Sequence, residues 1–115
     1  MSDEMVIFPR TFDLVSWLVP KADGFPKAHR FVITKRLLDA LLDFQETIIH
    51  ANAQRGDARL AHLRDADAHL TILRVCLRYV YLWKWIDSGK YEHVSRMVEE
   101  IGRLLGGWIK RSQVK

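Results

Sequence analysis

The chain has one cysteine, Cys76, so no internal disulfide can form, and nothing else in it argues for an oxidising compartment. Long apolar runs are missing as well. No stretch reaches the roughly 18 consecutive apolar residues of a membrane span, so a membrane is not expected among the partners. The start, Met1-Ser2-Asp3-Glu4, is acidic and lacks the basic opening of a secretion signal. These absences together predict a cytoplasmic location. Proline is confined to the first quarter, at Pro9, Pro20 and Pro26, which leaves the rest free for long helices. There is no glycine loop of the kind that cradles phosphate and no glycine elbow around a serine.

The chain has 115 residues, 49% of them hydrophobic, which is enough for a single domain with its own core and argues against disorder. The net charge of +4 favours acidic partners such as nucleic acid, though only modestly.

Four segments carry helical patterning, and together they predict an all-α, up-down-up-down four-helix bundle spanning residues 1–115. Residues 1–10 are expected to be an N-terminal extension and 112–115 a basic tail. The first helix is expected from about Thr11, a capping residue, to Ala22, with Phe12, Val15, Leu18 and Val19 inward and Pro20 kinking or ending it. The second is expected from about Lys27 to Ala53. Its apolar arc includes Phe31, Leu37, Leu41, Phe44 and Ile48, and its polar arc includes Lys35, Asp39, Asp43 and Glu46. The short turn Gln54-Arg55-Gly56-Asp57 predicts an antiparallel neighbour.

The third segment runs from about Ala58 to Asp87. Tyr79, Tyr81, Trp83 and Trp85 alternate as in a strand, but the ladder Leu63, Ala66, Leu70, Leu73, Leu77 and Val80 runs through at helical spacing, which favours a helix. The second half of this helix is apolar in almost every direction. A small bundle cannot wall it on all sides, so one flank is expected to meet another subunit. Gly89 is expected to cap its end. The fourth segment, from about Lys90 to Arg111, turns Val94, Val98, Ile101, Leu105 and Trp108 inward. Gly102 and Gly106 lie one turn apart. Either another helix backbone approaches there, or the glycines simply fray the helix end. Residues assigned to packing or oligomer contacts are Leu73, Leu77, Trp83, Gly102, Gly106 and Trp108.

Little catalytic chemistry is laid out. Cys76 lies in an apolar run, where burial would keep it inert. His62, Asp65 and His69 share an arc that suits a metal, but no fourth ligand accompanies them, and the bland reading is a solvated helix start. No catalytic residue, metal or cofactor is assigned, and a non-enzymatic protein is expected. Arg74 and Arg78 are more telling. In apolar surroundings they need acids or phosphates as partners. The choice lies between a salt bridge, to Asp39, Asp43 or Glu99, and a nucleic-acid backbone. Lys84, Arg103, Lys110 and Arg111 join them as candidate phosphate contacts. Tyr81 and Trp85 are either base-stacking residues or core.

Several of these stretches resemble one family. Phe25-Pro26-Lys27-Ala28-His29-Arg30-Phe31, Leu73-Arg74-Val75-Cys76-Leu77-Arg78, Tyr91-Glu92-His93 and Glu99-Glu100-Ile101-Gly102-Arg103-Leu104-Leu105-Gly106-Gly107-Trp108-Ile109-Lys110 are similar to the Avd proteins, the accessory variability determinants of diversity-generating retroelements. The same fold group contains bundles encoded in intervening sequences of ribosomal RNA genes. The resemblance covers about residues 11 to 111. It implies a ring-like homopentamer of four-helix protomers, with a basic surface for RNA or DNA and a reverse transcriptase as partner. The complex would copy a template RNA into error-bearing cDNA. The alternative it leaves is a self-associating bundle of the intervening-sequence type with no retroelement role.

Overall fold

The computed structural model describes residues 3–113, with side chains from residue 5 onward. Lys115, part of the expected basic tail, lies outside the described residues, as do Met1 and Ser2. Four long helices run α1 (Asp3–Ala22), α2 (Lys35–Ala53), α3 (Gly56–Leu82) and α4 (Ser88–Gln113), and no strand occurs among the described residues. The aromatic alternation at 79–85 is therefore the end of a helix and the turn after it. Neighbouring helices are antiparallel. α2 packs most extensively on α3, α4 closes against both α3 and α1, and of the helices consecutive in the chain α1 and α2 touch least. The result is an elongated bundle of 48 × 25 × 19 Å.

α1 corrects the expected start. Residues taken for an extension are helical from Asp3, and Thr11 is an interior residue, not a cap. Its buried hydroxyl donates to the Ile7 carbonyl at 2.7 Å, an i to i−4 bond that satisfies it within the helix. Extending the helix backwards also changes its inward face. Ile7, Leu14 and Leu18 form the buried row, while Phe12, expected inside, is 64% exposed. Pro9 and Pro20 both lie within the helix and both are exposed. They are about three turns apart, on one solvent-facing side, where water can take up the carbonyls they leave unpaired.

The α1–α2 connection is irregular. Phe25 is buried beneath it, its N–H donating to the Ala22 carbonyl at 3.0 Å. A 3-10 turn, Lys27–His29, leads into a π turn, Arg30–Thr34, before α2 begins. The π turn takes in an extra residue and rotates what precedes it out of the α2 register. Phe31, expected on the apolar arc, is consequently 80% exposed. Along α2, Leu37, Leu41, Phe44 and Ile48 are fully buried as the spacing predicts, whereas Leu42 and Ile49, expected on the same apolar arc, lie at its edge and are exposed.

The α2–α3 turn needs a positive φ at Gly56 (φ 58). Arg59 ties the turn down, its Nε donating to the Ala51 carbonyl at 3.0 Å at the negative end of α2. Its guanidinium also lies 5.9 Å from the Trp108 ring centroid at the far end of α4. The α3 ladder Leu63, Ala66, Leu70, Leu73, Leu77 and Val80 is buried throughout, and Val94, Val98, Ile101, Leu105 and Trp108 meet it from α4.

The end of α3 differs from expectation. The helix stops at Leu82, not Asp87, and Gly89 belongs to α4. The left-handed residue is Lys84 (φ 63). The Lys84 N–H donates to the Tyr81 carbonyl and the Trp85 N–H to the Val80 carbonyl, both at 2.9 Å, which is a Schellman motif. Asp87 then opens α4. Its Oδ1 accepts the Lys90 backbone N–H at 2.8 Å, the bond of an N-cap.

Candidate nucleic-acid interface

Arg74 and Arg78 stand one turn apart on the side of α3 that faces α4. Together with Leu77, Tyr91, Ser95 and Glu99 they line a groove of about 360 Å³ between the two helices. Both arginines are exposed, so water solvates them and they do not require a buried partner. Among the described residues neither has a carboxylate within 4.0 Å, and the salt bridges considered to Asp39, Asp43 or Glu99 do not form within the protomer. Asp39 pairs instead with Lys35 at 2.5 Å. Gly102 is the reason Arg74 can lie flat in this groove. A Cβ there would collide with the Arg74 guanidinium, and the next atom it would meet belongs to the Leu70 side chain. The close approach read from the two glycines is thus a side chain at Gly102. At Gly106 an added Cβ would meet nothing within 4 Å.

The other basic candidates are dispersed. Arg103 and Arg111 border a hollow of about 280 Å³ with Glu100, Leu104 and Gly107, on the α1 side of α4. Lys110 is exposed near the C-terminal end of α4. Lys84 sits in the α3–α4 turn at the opposite end, about 30 Å away at 1.5 Å of helix per residue. The structure therefore brings Arg74 to Arg78 and Arg103 to Arg111 but does not unite the six. Leu73, Leu77 and Trp108 are consumed by the protomer core, whereas Trp83 is 47% exposed.

A second cationic region was not read from the sequence. At the end where α1 and α3 finish and α2 and α4 begin, Lys21, Lys84 and Lys90 border a cavity of about 790 Å³. Phe25, Tyr81 and Trp85 form part of its wall. Aromatic rings run outward from there. Phe25 lies 5.5 Å from Trp85, His29 stacks on Trp85 at 5.4 Å, and Trp83 stacks on Tyr79 at 5.2 Å. Tyr81, a candidate base-stacking residue, stacks instead on Tyr91 at 4.3 Å with the rings nearly parallel. Lys84 between two tryptophans was the available signal, but its position past the helix end could not be seen while the helix was extended to Asp87.

Apolar residues remain uncovered on two sides. Ile72, Val75, Tyr79, Leu82 and Trp83 form an exposed strip on the outer side of α3. Met5 and Phe12 on α1, and Leu42 and Ile49 on α2, are exposed as well.

The other candidate chemistry does not assemble. The His62 ring stacks on His50 at 5.9 Å, and among the described residues no group of three His, Cys, Asp or Glu converges on a metal position. Burial pushes the Cys76 thiol up, against a weaker opposing pull from Arg36, which suppresses the thiolate needed for nucleophilic chemistry. Among the described residues no helix is long and apolar enough to cross a membrane.

Fold and surface together define a small all-α bundle whose outer faces carry cationic and aromatic groups. The chain belongs to the bAvd-like family, whose model matches residues 5–112. A similar solved structure is that of a protein of unknown function from the S23 ribosomal protein family of Bacteroides thetaiotaomicron, with a TM-score of 0.86 at 18% identity, covering 95% of this chain and 99% of that one. No curated protein matches the chain.

Proposed function

We propose that this protein is a non-enzymatic accessory protein of a diversity-generating retroelement, which holds a reverse transcriptase and its template RNA or cDNA during mutagenic copying. The observation that carries this reading is the family match over residues 5–112. The Arg74–Arg78 pair supports it, because two exposed guanidiniums without carboxylate partners are suited to phosphate oxygens. Binding through them is weakly sequence-selective and falls steeply with salt.

The assembly we propose is a ring-like homopentamer. The α3 strip of one copy meets the uncovered α1–α2 side of the next, a head-to-tail contact that closes when the rotation is right. Such a ring repeats a modest basic surface, so weak single contacts add through multivalency. Native mass spectrometry should show a mass five times the 13.5 kDa protomer. A clean monomer at micromolar concentration would refute the ring.

The nucleic-acid reading is tested by replacing Arg74 and Arg78 together with Ala. Affinity should fall and the salt slope should flatten by about two, one per lost phosphate contact, with the oligomer intact. Dissociation into subunits at unchanged slope would make these arginines interface residues instead. Co-expression with the reverse transcriptase of a diversity-generating retroelement, followed by affinity capture, tests the protein partner. No co-purification at low salt, with both proteins soluble, would favour a self-associating bundle without a retroelement role.

A further inference from the structure

The cavity at the α3–α4 turn has a built charge pattern. Its three ammonium groups come from three different elements, with Lys21 from the end of α1, Lys84 from the turn and Lys90 from the first turn of α4. Asp87 is the one carboxylate among the lining residues, and it is already held by Lys90 at 3.2 Å. Lys21 leans over the Trp17 ring at 5.1 Å, and among the described residues Lys84 has no carboxylate within 4.0 Å. The opposite wall is apolar and largely aromatic, made by Phe25, Tyr81, Trp85 and Ile86. At about 790 Å³ the cavity falls in the size range of small-ligand sites, which are mostly apolar with a few placed polar groups.

The backbone adds an independent observation. Among the described residues only Gly56 and Lys84 adopt a positive φ. Glycine takes such a position without steric cost, and a side chain does not. At Lys84 the chain keeps a strained residue where glycine would fold more easily, and that residue lines the cavity. Backbone strain of this kind clusters at binding sites.

We propose that this cavity binds a nucleotide unit, with an unpaired nucleobase against the part-exposed Trp85 and its phosphate among Lys84, Lys21 and Lys90. Ammonium groups act as point charges toward phosphate, and aromatic walls accept any base. The site is separate from the Arg74–Arg78 groove and reads a different feature. The groove recognises backbone charge, whereas the cavity requires a base that is free of a duplex. As a single-strand site it rests on the nucleic-acid reading above; as a free-nucleotide site it does not.

The test uses the intact chain and three probes. They are a 5′-phosphorylated oligouridylate of about eight nucleotides, chosen within the site sizes of single-strand binders, an abasic oligomer of the same length and charge, and uridine monophosphate. Base-bearing probes should quench tryptophan fluorescence, and the oligouridylate should bind roughly tenfold tighter than the abasic strand. Lys84→Gly relieves the backbone while removing the amine, so it should be folded and more stable, yet bind the oligouridylate more weakly with a salt slope lower by about one. Lys84→Gln, which keeps the strain, should show the same loss. Quenching by uridine monophosphate at similar affinity assigns the cavity to a free nucleotide, and quenching by the oligomer alone assigns it to a strand. Equal binding of base-bearing and abasic strands without quenching overturns the proposal, as does wild-type binding by Lys84→Gly. The Arg74→Ala/Arg78→Ala protein separates the two readings. Retained quenching there, with the groove's salt dependence lost, supports both. An unchanged salt slope with Lys84→Gly still defective removes the groove and leaves the cavity.

Discussion

The two ends of the bundle solve the same geometric problem in different ways. Each needs a residue at positive φ to reverse the chain. At the α2–α3 end that residue is Gly56, and Arg59 bonds the last carbonyls of α2 beside it. At the α3–α4 end it is Lys84, flanked by Trp83 and Trp85 and open to a cavity. The α2–α3 end also holds Trp108, buried to 1% exposure, with the Phe8 ring edge-on at 6.0 Å. The other end leaves Trp83 and Tyr79 half in water and contains the 3-10 and π turns. One end is arranged for folding. The other keeps strain and exposed aromatic surface, and stability alone favours neither.

The largest expected effect breaks this contrast at its tryptophans. Trp108→Ala should cost about 3–5 kcal/mol, because it empties a closed core position. Trp83→Ala should cost well under that, since half its surface is already solvated. Chemical denaturation of both variants measures the difference, and similar losses would mean that the two ends carry equal packing.

The next effect exchanges the turn residues. Gly56→Ala should destabilise by about 1–2 kcal/mol, the cost of a Cβ in a left-handed position. The space around it is open, with nothing within 4 Å of the added Cβ, so the loss is conformational and not steric packing. Lys84→Gly should stabilise, by up to about 1 kcal/mol once the greater freedom of glycine in the unfolded chain is offset. If both substitutions shift the melting temperature in the same direction, the strain assigned to Lys84 is wrong.

The same contrast marks what could be read from the sequence. The inward faces of α2, α3 and α4 were legible because regular helices keep one angular step per residue. The rows Leu37, Leu41, Phe44 and Ile48, Leu63 to Val80, and Val94 to Trp108 are buried as their spacing required, while Leu42 and Ile49 at the edge of the α2 arc are not. Phe31 was misplaced because a π turn alters that step, and no residue in Arg30–Thr34 announces one. Phe12 was misplaced because Thr11 has the chemistry of a cap, whereas its hydroxyl is satisfied inside a helix that begins earlier. The candidate site was legible in its cations but not in their grouping. Arg74 and Arg78 share a helix and a face, so spacing joined them. Lys21, Lys84 and Lys90 come from three elements, and only the closed bundle brings them to one cavity.

The smallest effect sharpens the comparison at the cap that follows Lys84. Asp87 holds the first turn of α4, and the Lys90 backbone N–H it accepts, with the Lys90 side chain beside it, holds its carboxyl below the ordinary value of 3.8. A carboxylate whose folded value is depressed favours the folded state while it is ionised. That contribution is complete above 3.8 and is lost as pH falls through the lower folded value. Asp87→Ala should therefore lower the melting temperature slightly at neutral pH, and the gap to the parent protein should close in acid as the parent's own carboxyl is protonated. Asp87→Asn retains a capping oxygen without the charge, so it should sit between the two at neutral pH and show less of the acid slope. Melting curves from pH 7 downward give the answer. A gap that stays constant into acid would show that the cap acts through its geometry alone, and that the turn carrying Lys84 is set by the Schellman bonds without help from the charge at Asp87.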